Sequence, residues 1–196
     1  MKKLLSAVSD FFETAIISLF TVTIVFSLFF RTASVSGVSM EETLNEGDKF
    51  IMSTWWTSPK QGDVVVINAN ESVTIGDDGG LVDGIGMNRL IVKRIIATEG
   101  QTVDFDFQRG IVYVDGEVYN ESYISGLTHL DEGAFTDRYP ITVPKGYVFV
   151  MGDNRRNSLD SRSSRIGLID ERYIFGKAEV RLHPIKDWNI YKVTAD

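Results

Sequence analysis

The sequence predicts a mainly β domain attached to one N-terminal apolar helix, and two observations support this fold class. Residues 14–30 read TAIISLFTVTIVFSLFF and carry no charge; a helix of that length is roughly 25 Å long, and residues 11–13 extend it towards the thickness of a bilayer. The rest of the chain consists of short apolar segments separated by turn residues, without another long segment of helical period. We therefore expect a short N-terminal segment (1–10), a transmembrane anchor (11–30) and a β domain (31–196).

The apolar N-terminal segment has two interpretations. Lys2 and Lys3 form a basic start like that of a cleaved signal peptide. However, the apolar run is longer than the core of a usual signal peptide, Arg31 follows it directly, and Ala33-Ser34-Val35-Ser36 is a poor cleavage site. We favour a retained single-pass anchor in the cell membrane. Because cytoplasmic flanks are rich in lysine, Lys2 and Lys3 indicate a cytoplasmic N-terminus and an extracytoplasmic β domain.

Composition argues against several classes of protein. The net charge of −7 argues against a nucleic-acid partner, since binding to phosphates needs clustered cations. Cysteine is absent, which excludes disulfides, a thiol nucleophile and cysteine-bound zinc. Neither His129 nor His183 has a second histidine at metal-ligand spacing. We therefore expect no metal and no cofactor.

Short alternating segments predict the strands of the β domain. These segments are residues 49–52, 63–67, 90–97, 102–107, 111–114, 146–151 and 177–182. Between them, the glycine-rich residues 68–88 indicate an extended loop or a flexible hairpin tip. The weakly patterned residues 117–142 indicate a small cap over the sheet, as an insertion at about 106–142.

The predicted strand at residues 90–97, LIVKRIIA, contains two cations between apolar residues on both faces. Alternation places Lys93 and Arg94 on opposite faces, each between apolar neighbours, which is an unfavourable environment for a charge. One interpretation is an edge strand that uses its cations to prevent aggregation. The other is that burial lowers the pKa of Lys93 and leaves a neutral amine able to accept a proton.

Two further segments contain more polar groups than folding alone requires. Residues 36–40 (SGVSM) follow the anchor closely, and residues 151–162 (MGDNRRNSLDSR) follow a strand that should be buried. A nucleophilic serine needs a base, and no nucleophile-elbow motif accompanies His129 or His183. A neutral lysine is the other known base for a serine hydroxyl, and only Lys93 combines a lysine with a long apolar strand.

These segments resemble the sequence boxes of bacterial type I signal peptidases, the membrane-bound leader peptidases with a Ser-Lys dyad. The nucleophile box corresponds to residues 37–44, the second box to 62–66, the general-base box to 93–97 and the last box to 152–162. Their order and the preceding anchor also agree, so the resemblance spans most of the chain. It implies a signal-peptidase-type β-sheet catalytic domain with a small cap on one transmembrane helix.

The resemblance also implies a role for each matched residue. Ser39 would be the nucleophile, with its backbone N–H in the oxyanion hole, and Lys93 the general base that later activates water. Ser158 would hydrogen-bond to the lysine amine and orient it. The supporting ionic network would consist of Arg94, Asp153, Asp160 and Arg162, and Met40 and Val92 would line pockets for the small side chains of Ala-X-Ala cleavage sites.

Some family members have a serine two residues before the nucleophile that supplies a second oxyanion donor. Here that position is Gly37, as in many Gram-positive relatives, and Ser36 is the remaining candidate donor. Two positions depart from the family pattern. Glu42 and Glu99 replace usual prolines, and each loss of a proline loosens the backbone by about 0.4–1 kcal/mol. The departures suggest a divergent branch with a narrow substrate set, such as pilus or other surface-protein precursors.

The function implied by the resemblance is a membrane-anchored serine endopeptidase that removes N-terminal signal peptides from preproteins at the lipid bilayer. The alternative is a non-catalytic or narrow-substrate member that assists surface-protein or pilus assembly and binds extended peptides by strand addition. A self-cleaving repressor with the same dyad would carry a DNA-binding helical domain, whereas this chain has an apolar anchor and an acidic balance.

Overall fold

The computed structural model describes residues 2–41, 43–55, 58–185 and 189–190. Over these residues the chain forms one long helix, α1 (Lys2–Phe29), followed by a β domain. The strands are β1 (Phe30–Ser34), β2 (Lys49–Ser53), β3 (Val64–Asn68), β4 (Glu71–Ile75), β5 (Leu81–Ile85), β6 (Leu90–Ala97), β7 (Thr102–Asp106), β8 (Ile111–Val114), β9 (Glu117–Val118), β10 (Ile141–Thr142), β11 (Tyr147–Met151), β12 (Ile169–Asp170) and β13 (Ile174–His183). The predicted fold class is confirmed.

Helix α1 is apolar over most of its length and is exposed except where its end meets the β domain. Its segment Ser6–Phe29 has a mean hydropathy of 2.0 over its most apolar window, and none of that window is buried. At 1.5 Å per residue these 24 residues extend over about 36 Å, which is long enough to cross a bilayer. The helix begins well before the predicted anchor, and Phe30 is the first residue of β1.

Seven antiparallel strands form the main sheet in the order β1-β2-β13-β3-β6-β11-β12. All the predicted strands are present, with ends within a few residues of the expected ones. The alternative of an edge strand at residues 90–97 is wrong, because β6 lies between β3 and β11. Lys93 and Arg94 are 3% and 4% exposed, so both cations lie in the interior of the domain.

The two neighbours of strand β6 pair with different parts of it. Its pairing with β3 covers residues 90–94, whereas its pairing with β11 begins at Arg94 and continues to Ala97. On the side of β11, no described strand pairs with residues 90–93. A central strand therefore has an open edge directly beside Lys93.

A second, four-stranded sheet in the order β10-β7-β8-β9 forms the cap. It extends from residue 102 to 142, so it begins at β7 and not at about 106 as predicted. One apolar cluster joins the two sheets, with Ile96, Phe149 and Met151 from the main sheet and Val103, Val112 and Ile141 from the cap. The segment 68–88 contains the separate hairpin β4–β5.

Candidate active site

The structure brings Ser39 and Lys93 into direct contact. The Lys93 amine donates to Ser39 Oγ at 2.7 Å and to the Val92 carbonyl oxygen at 3.0 Å. Burial lowers the pKa of Lys93 to about 8, with the negative charge of Asp160 opposing the shift and the positive charge of Arg89 adding to it. A substantial fraction of this amine is therefore neutral at mildly alkaline pH, and a neutral amine can accept the serine proton through the same contact.

Ser39 lies in the segment between β1 and β2, and its backbone is held by the last box. Its carbonyl oxygen accepts a hydrogen bond from the Asn154 backbone N–H at 3.1 Å, while no described group accepts its own N–H. Two residues earlier, Gly37 has φ +97°, a backbone conformation that residues with a side chain rarely adopt. The local backbone therefore explains a glycine at the position where some family members carry a serine.

Arg94 and Asp153 form a buried bidentate ion pair behind the nucleophile. Arg94 donates from Nε and Nη2 to the two carboxylate oxygens at 2.9 and 2.7 Å, and Asp153 is fully buried. The Thr43 hydroxyl donates to the same carboxylate at 2.5 Å. The guanidinium also lies over the Tyr123 ring at 3.9 Å. The pair thus connects β6, the last box and the segment that carries Ser39.

Asp160 and Arg162 form the second buried ion pair. Arg162 donates from Nε at 2.8 Å and from Nη2 at 2.9 Å, and the Gly152 backbone N–H donates to the Asp160 carboxylate at 3.0 Å. Burial alone would raise the pKa of Asp160, but Arg162 and these hydrogen bonds keep it below its usual value. Asp160 therefore remains ionised and acts on the Lys93 amine through its charge.

Ser158 differs from its predicted role. Its hydroxyl is buried, but the described hydrogen bonds of the Lys93 amine go to Ser39 and Val92, and none goes to Ser158. The hydroxyl makes no well-formed hydrogen bond, although it lies close enough to Asp160 to help lower that pKa. The hydroxyl packs closely against Gly152: a Cβ at Gly152 would lie 2.2 Å from Ser158 Oγ and 2.4 Å from the Ser39 carbonyl oxygen.

The sequence reasoning missed the contacts of the cap with the last box. Arg155 is almost fully buried, donates to the Gly152 carbonyl oxygen at 3.0 Å and to Thr128 Oγ1 at 2.9 Å, and forms an ion pair with Glu121. Glu132 approaches Arg162 at 3.7 Å. The two consecutive arginines Arg155 and Arg156, shortly after a strand that should be buried, were the available signal, because a buried guanidinium requires a carboxylate partner.

Another buried ion pair, also missed, holds the segment between β1 and β2. Arg181 on β13 lies 3.1 Å from the Asp48 carboxylate and also donates to the Thr43 carbonyl oxygen. Asp48 accepts the Asn45 backbone N–H at 3.0 Å. No local sequence pattern indicates this pair, since Arg181 and Asp48 lie at opposite ends of the β domain sequence.

A groove of about 630 Å³ opens in front of Ser39 and Lys93. One wall is formed by residues 33–40 and the other by residues 89–93, and Met40 and Val92 line it as the resemblance implied. Ser36 also lines the groove and is exposed. The groove therefore includes the open edge of β6.

Of the two replaced prolines, Glu42 lies outside the described residues. At the other, the Glu99 carboxylate accepts the Gly146 backbone N–H at 3.1 Å. The Gln101 side chain accepts from the Thr98 backbone N–H at 3.0 Å and donates to Asp115 at 2.9 Å. Side-chain hydrogen bonds therefore hold the turn that lacks the proline.

This chain resembles known signal peptidases. A family model described as "Signal peptidase, peptidase S26" matches residues 8–183. The probable signal peptidase I-1 of a Synechocystis species is 35% identical over 153 residues, or 76% of this chain and 69% of that protein. Signal peptidase I P of Bacillus subtilis subsp. natto is 31% identical over 191 residues, or 94% of both chains. The crystal structure of a signal peptidase I from Enterococcus faecalis aligns with TM-score 0.43 and 22% identity over 62% of this chain and 97% of that one.

The family model and the Bacillus relative identify this chain as a peptidase, which is a hydrolase. The chain belongs to the peptidase S26 family of signal peptidases.

Proposed function

We propose that this protein is a membrane-anchored serine endopeptidase that removes N-terminal signal peptides from exported preproteins, with Ser39 as nucleophile and Lys93 as general base. The observation that carries the proposal is the 2.7 Å contact between the buried Lys93 amine and the Ser39 hydroxyl. The lowered pKa of Lys93, to about 8, supports a base that is neutral while the enzyme works.

The chemical steps follow from this pair. The neutral Lys93 amine takes the Ser39 proton as Oγ attacks the scissile carbonyl carbon. The Ser39 backbone N–H, which has no partner among the described residues, donates a hydrogen bond to the resulting oxyanion. Lys93 then gives the proton to the leaving amine, the C–N bond breaks, and an acyl-enzyme ester remains. A water molecule, deprotonated by Lys93, attacks the ester, and Ser39 leaves with the proton returned by Lys93. Ser36 is the candidate for a second oxyanion donor because it lines the same groove.

The groove suits an extended peptide. Residues 90–93 of β6 have no strand partner on the groove side among the described strands, and the opposite wall is the segment 33–40. A substrate strand that joins this edge receives main-chain hydrogen bonds, while side-chain pockets determine specificity. Met40 and Val92 then contact the small side chains on the N-terminal side of the cut, as at Ala-X-Ala sites.

The junction between α1 and the β domain supports membrane anchoring. Trp55 is 68% exposed and packs its ring edge-to-face with Phe29, at a centroid distance of 5.1 Å, where the helix ends. Arg31 follows directly and lies over the Phe175 ring at 5.1 Å. Exposed aromatic and cationic side chains at the end of an apolar helix are typical of the bilayer interface. With the cytoplasmic N-terminus that Lys2 and Lys3 indicate, the catalytic domain would lie on the extracytoplasmic side, close to the membrane surface.

The test is cleavage of a preprotein with an Ala-X-Ala site by the full chain in detergent micelles. Ser39→Ala and Lys93→Met should each abolish cleavage, whereas Lys145→Met, at an exposed lysine, should leave it unchanged. Cleavage by Lys93→Met at the wild-type rate would overturn the mechanism. Mapping of cleavage sites in cells with and without this chain tests whether the substrates are restricted to pilus or other surface-protein precursors.

A further inference from the structure

The active-site groove contains an exposed cation that the proposed mechanism does not use. Arg89 directly precedes β6 and lines the groove, and its side chain has no ion-pair or hydrogen-bond partner among the described residues. Its backbone is held in place, because its carbonyl oxygen accepts the Ala69 N–H at 3.0 Å. The other charged residues that line the groove are Lys93 and Glu46.

The position of Arg89 along the strand sets its distance from the cut. A strand rises by about 3.3 Å per residue, so the Cα of Arg89 lies roughly 13 Å from that of Lys93. A peptide added to the open edge of β6 has the same rise. If the small residues before the cut lie beside Val92, as in the proposed function, Arg89 reaches a side chain about four or five residues before the scissile bond.

Arg89 is also close enough to the catalytic pair to act on it electrostatically. After burial, which is the largest cause, the positive charge of Arg89 contributes to the lowered pKa of Lys93. An unpaired guanidinium in a groove is a ready partner for a carboxylate, which it binds through two parallel N–H donors.

We propose that Arg89 is a specificity-determining residue that forms a subsite for an aspartate or glutamate side chain four or five residues before the scissile bond. This inference rests on the proposed function, because the direction of the peptide comes from it. Arg89 contacts the substrate away from the reacting atoms, so it affects which sequences are cut and does not take part in the chemistry.

The experiment compares peptide substrates that carry glutamate, glutamine or lysine at one position, moved from three to seven residues before the cut. Cleavage is measured with the full chain in detergent at pH 9.5, above the wild-type Lys93 pKa of about 8. Each preference is a ratio of two peptides cut by the same variant, so a change in the titration of Lys93 cancels. We expect the wild type to prefer glutamate to glutamine by about threefold to fivefold in kcat/KM at the fourth or fifth position at low salt, and to lose this preference at high salt.

Variants of Arg89 test whether this residue causes the preference for glutamate. Arg89→Gln should remove it, and Arg89→Glu should reverse it towards lysine, with each variant's rates on the glutamate and lysine peptides taken relative to its own rate on the glutamine peptide. Arg109→Gln is the matched control, because Arg109 is exposed and outside the groove. An unchanged glutamate preference in Arg89→Gln, or no charge preference at any position, overturns the subsite. Cleavage of the glutamine peptide that persists in Ser39→Ala would instead refute the proposed function.

Discussion

Replacement of Lys93 by methionine should abolish activity and at the same time make the protein more stable at neutral pH. Methionine has a similar length and no charge, so it fills the site without the desolvation of an ammonium. Lys93 is 3% exposed, and burial is the largest cause of its lowered pKa. The stability of the fold is therefore reduced at pH values at which the amine is protonated.

The magnitude follows from the two pKa values. The amine titrates at 10.5 in the unfolded chain and at about 8 in the folded one, and about 1.4 kcal/mol corresponds to each pH unit between them. Protonated Lys93 therefore reduces the free energy of unfolding by roughly 3 kcal/mol at pH 7. Removal of its hydrogen bond to Ser39 offsets about 1 kcal/mol. Lys93→Met should gain about 2 kcal/mol, or an increase in Tm of about 4–8 °C.

The stability gained by Lys93→Met should decrease as the pH rises. Between pH 8 and 10.5 the unfolded chain binds the proton and the folded one does not, so the stability contributed by this group rises with pH. At pH 7 both states are protonated and the full penalty is present. The difference in Tm between Lys93→Met and wild type should therefore disappear near pH 10.

Thermal unfolding of the full chain in detergent at pH 7 and pH 10 measures both differences. Arg94→Met is the matched control at the adjacent, equally buried cation. It should lower stability by about 3–5 kcal/mol, because it leaves the fully buried Asp153 without its ion pair. If Lys93→Met is no more stable than wild type at pH 7, or its advantage is the same at both pH values, the buried amine is not charged at neutral pH and the reasoning fails.

Three further outcomes are expected. The kcat/KM of wild type should rise about tenfold per pH unit well below pH 8 and level off above it, as the Lys93 amine with its pKa of about 8 becomes neutral; a rate independent of pH from 6 to 9 would contradict this. Gly152→Ala should lower kcat more than tenfold and stability by about 1–3 kcal/mol, since its Cβ would lie 2.4 Å from the Ser39 carbonyl oxygen, and kinetics with circular dichroism would show both. Arg181→Met should lower stability by about 3 kcal/mol in urea unfolding, because Asp48 is 4% exposed and loses its cation; an unchanged unfolding midpoint would refute a structural role for this pair.

Sequence reasoning identified the residues of the site better than their contacts. Strands such as β6 and β11 were predicted at nearly their observed ends, because β-branched runs between turn residues are local signals. The family resemblance implied an ionic network that includes Arg94 and the acidic residues of the last box, and in the structure Arg94 pairs with Asp153. The position of β6 inside the sheet was not predictable from its own residues, since neighbouring strands are distant in sequence.

The missed elements share a physical cause. Strand β1, FRTAS, is short, polar and half exposed, so nothing in its pattern distinguishes it from the end of the anchor. For residues 68–88 the sequence left an extended loop and a hairpin tip open; the structure forms hairpin β4–β5 there, and all residues of β5 are exposed. The ion pair of Arg155 with Glu121 joins positions 34 residues apart through the packing of the cap. Alternation and turn chemistry describe neighbours in sequence, whereas these contacts depend on the tertiary arrangement.

The end of β11 explains why a catalytic pair occurs on a central strand. β11 pairs with β6 as far as Met151 and then leaves the sheet at Gly152. That departure leaves residues 90–93 of β6 without a strand on this side, which opens the groove beside Lys93. The same departure begins the polar last box, whose Asp153 and Asp160 lie behind the pair. A longer β11 would close the groove and move the two carboxylates away, so accessibility of the substrate and burial of the lysine depend on one strand ending where it does.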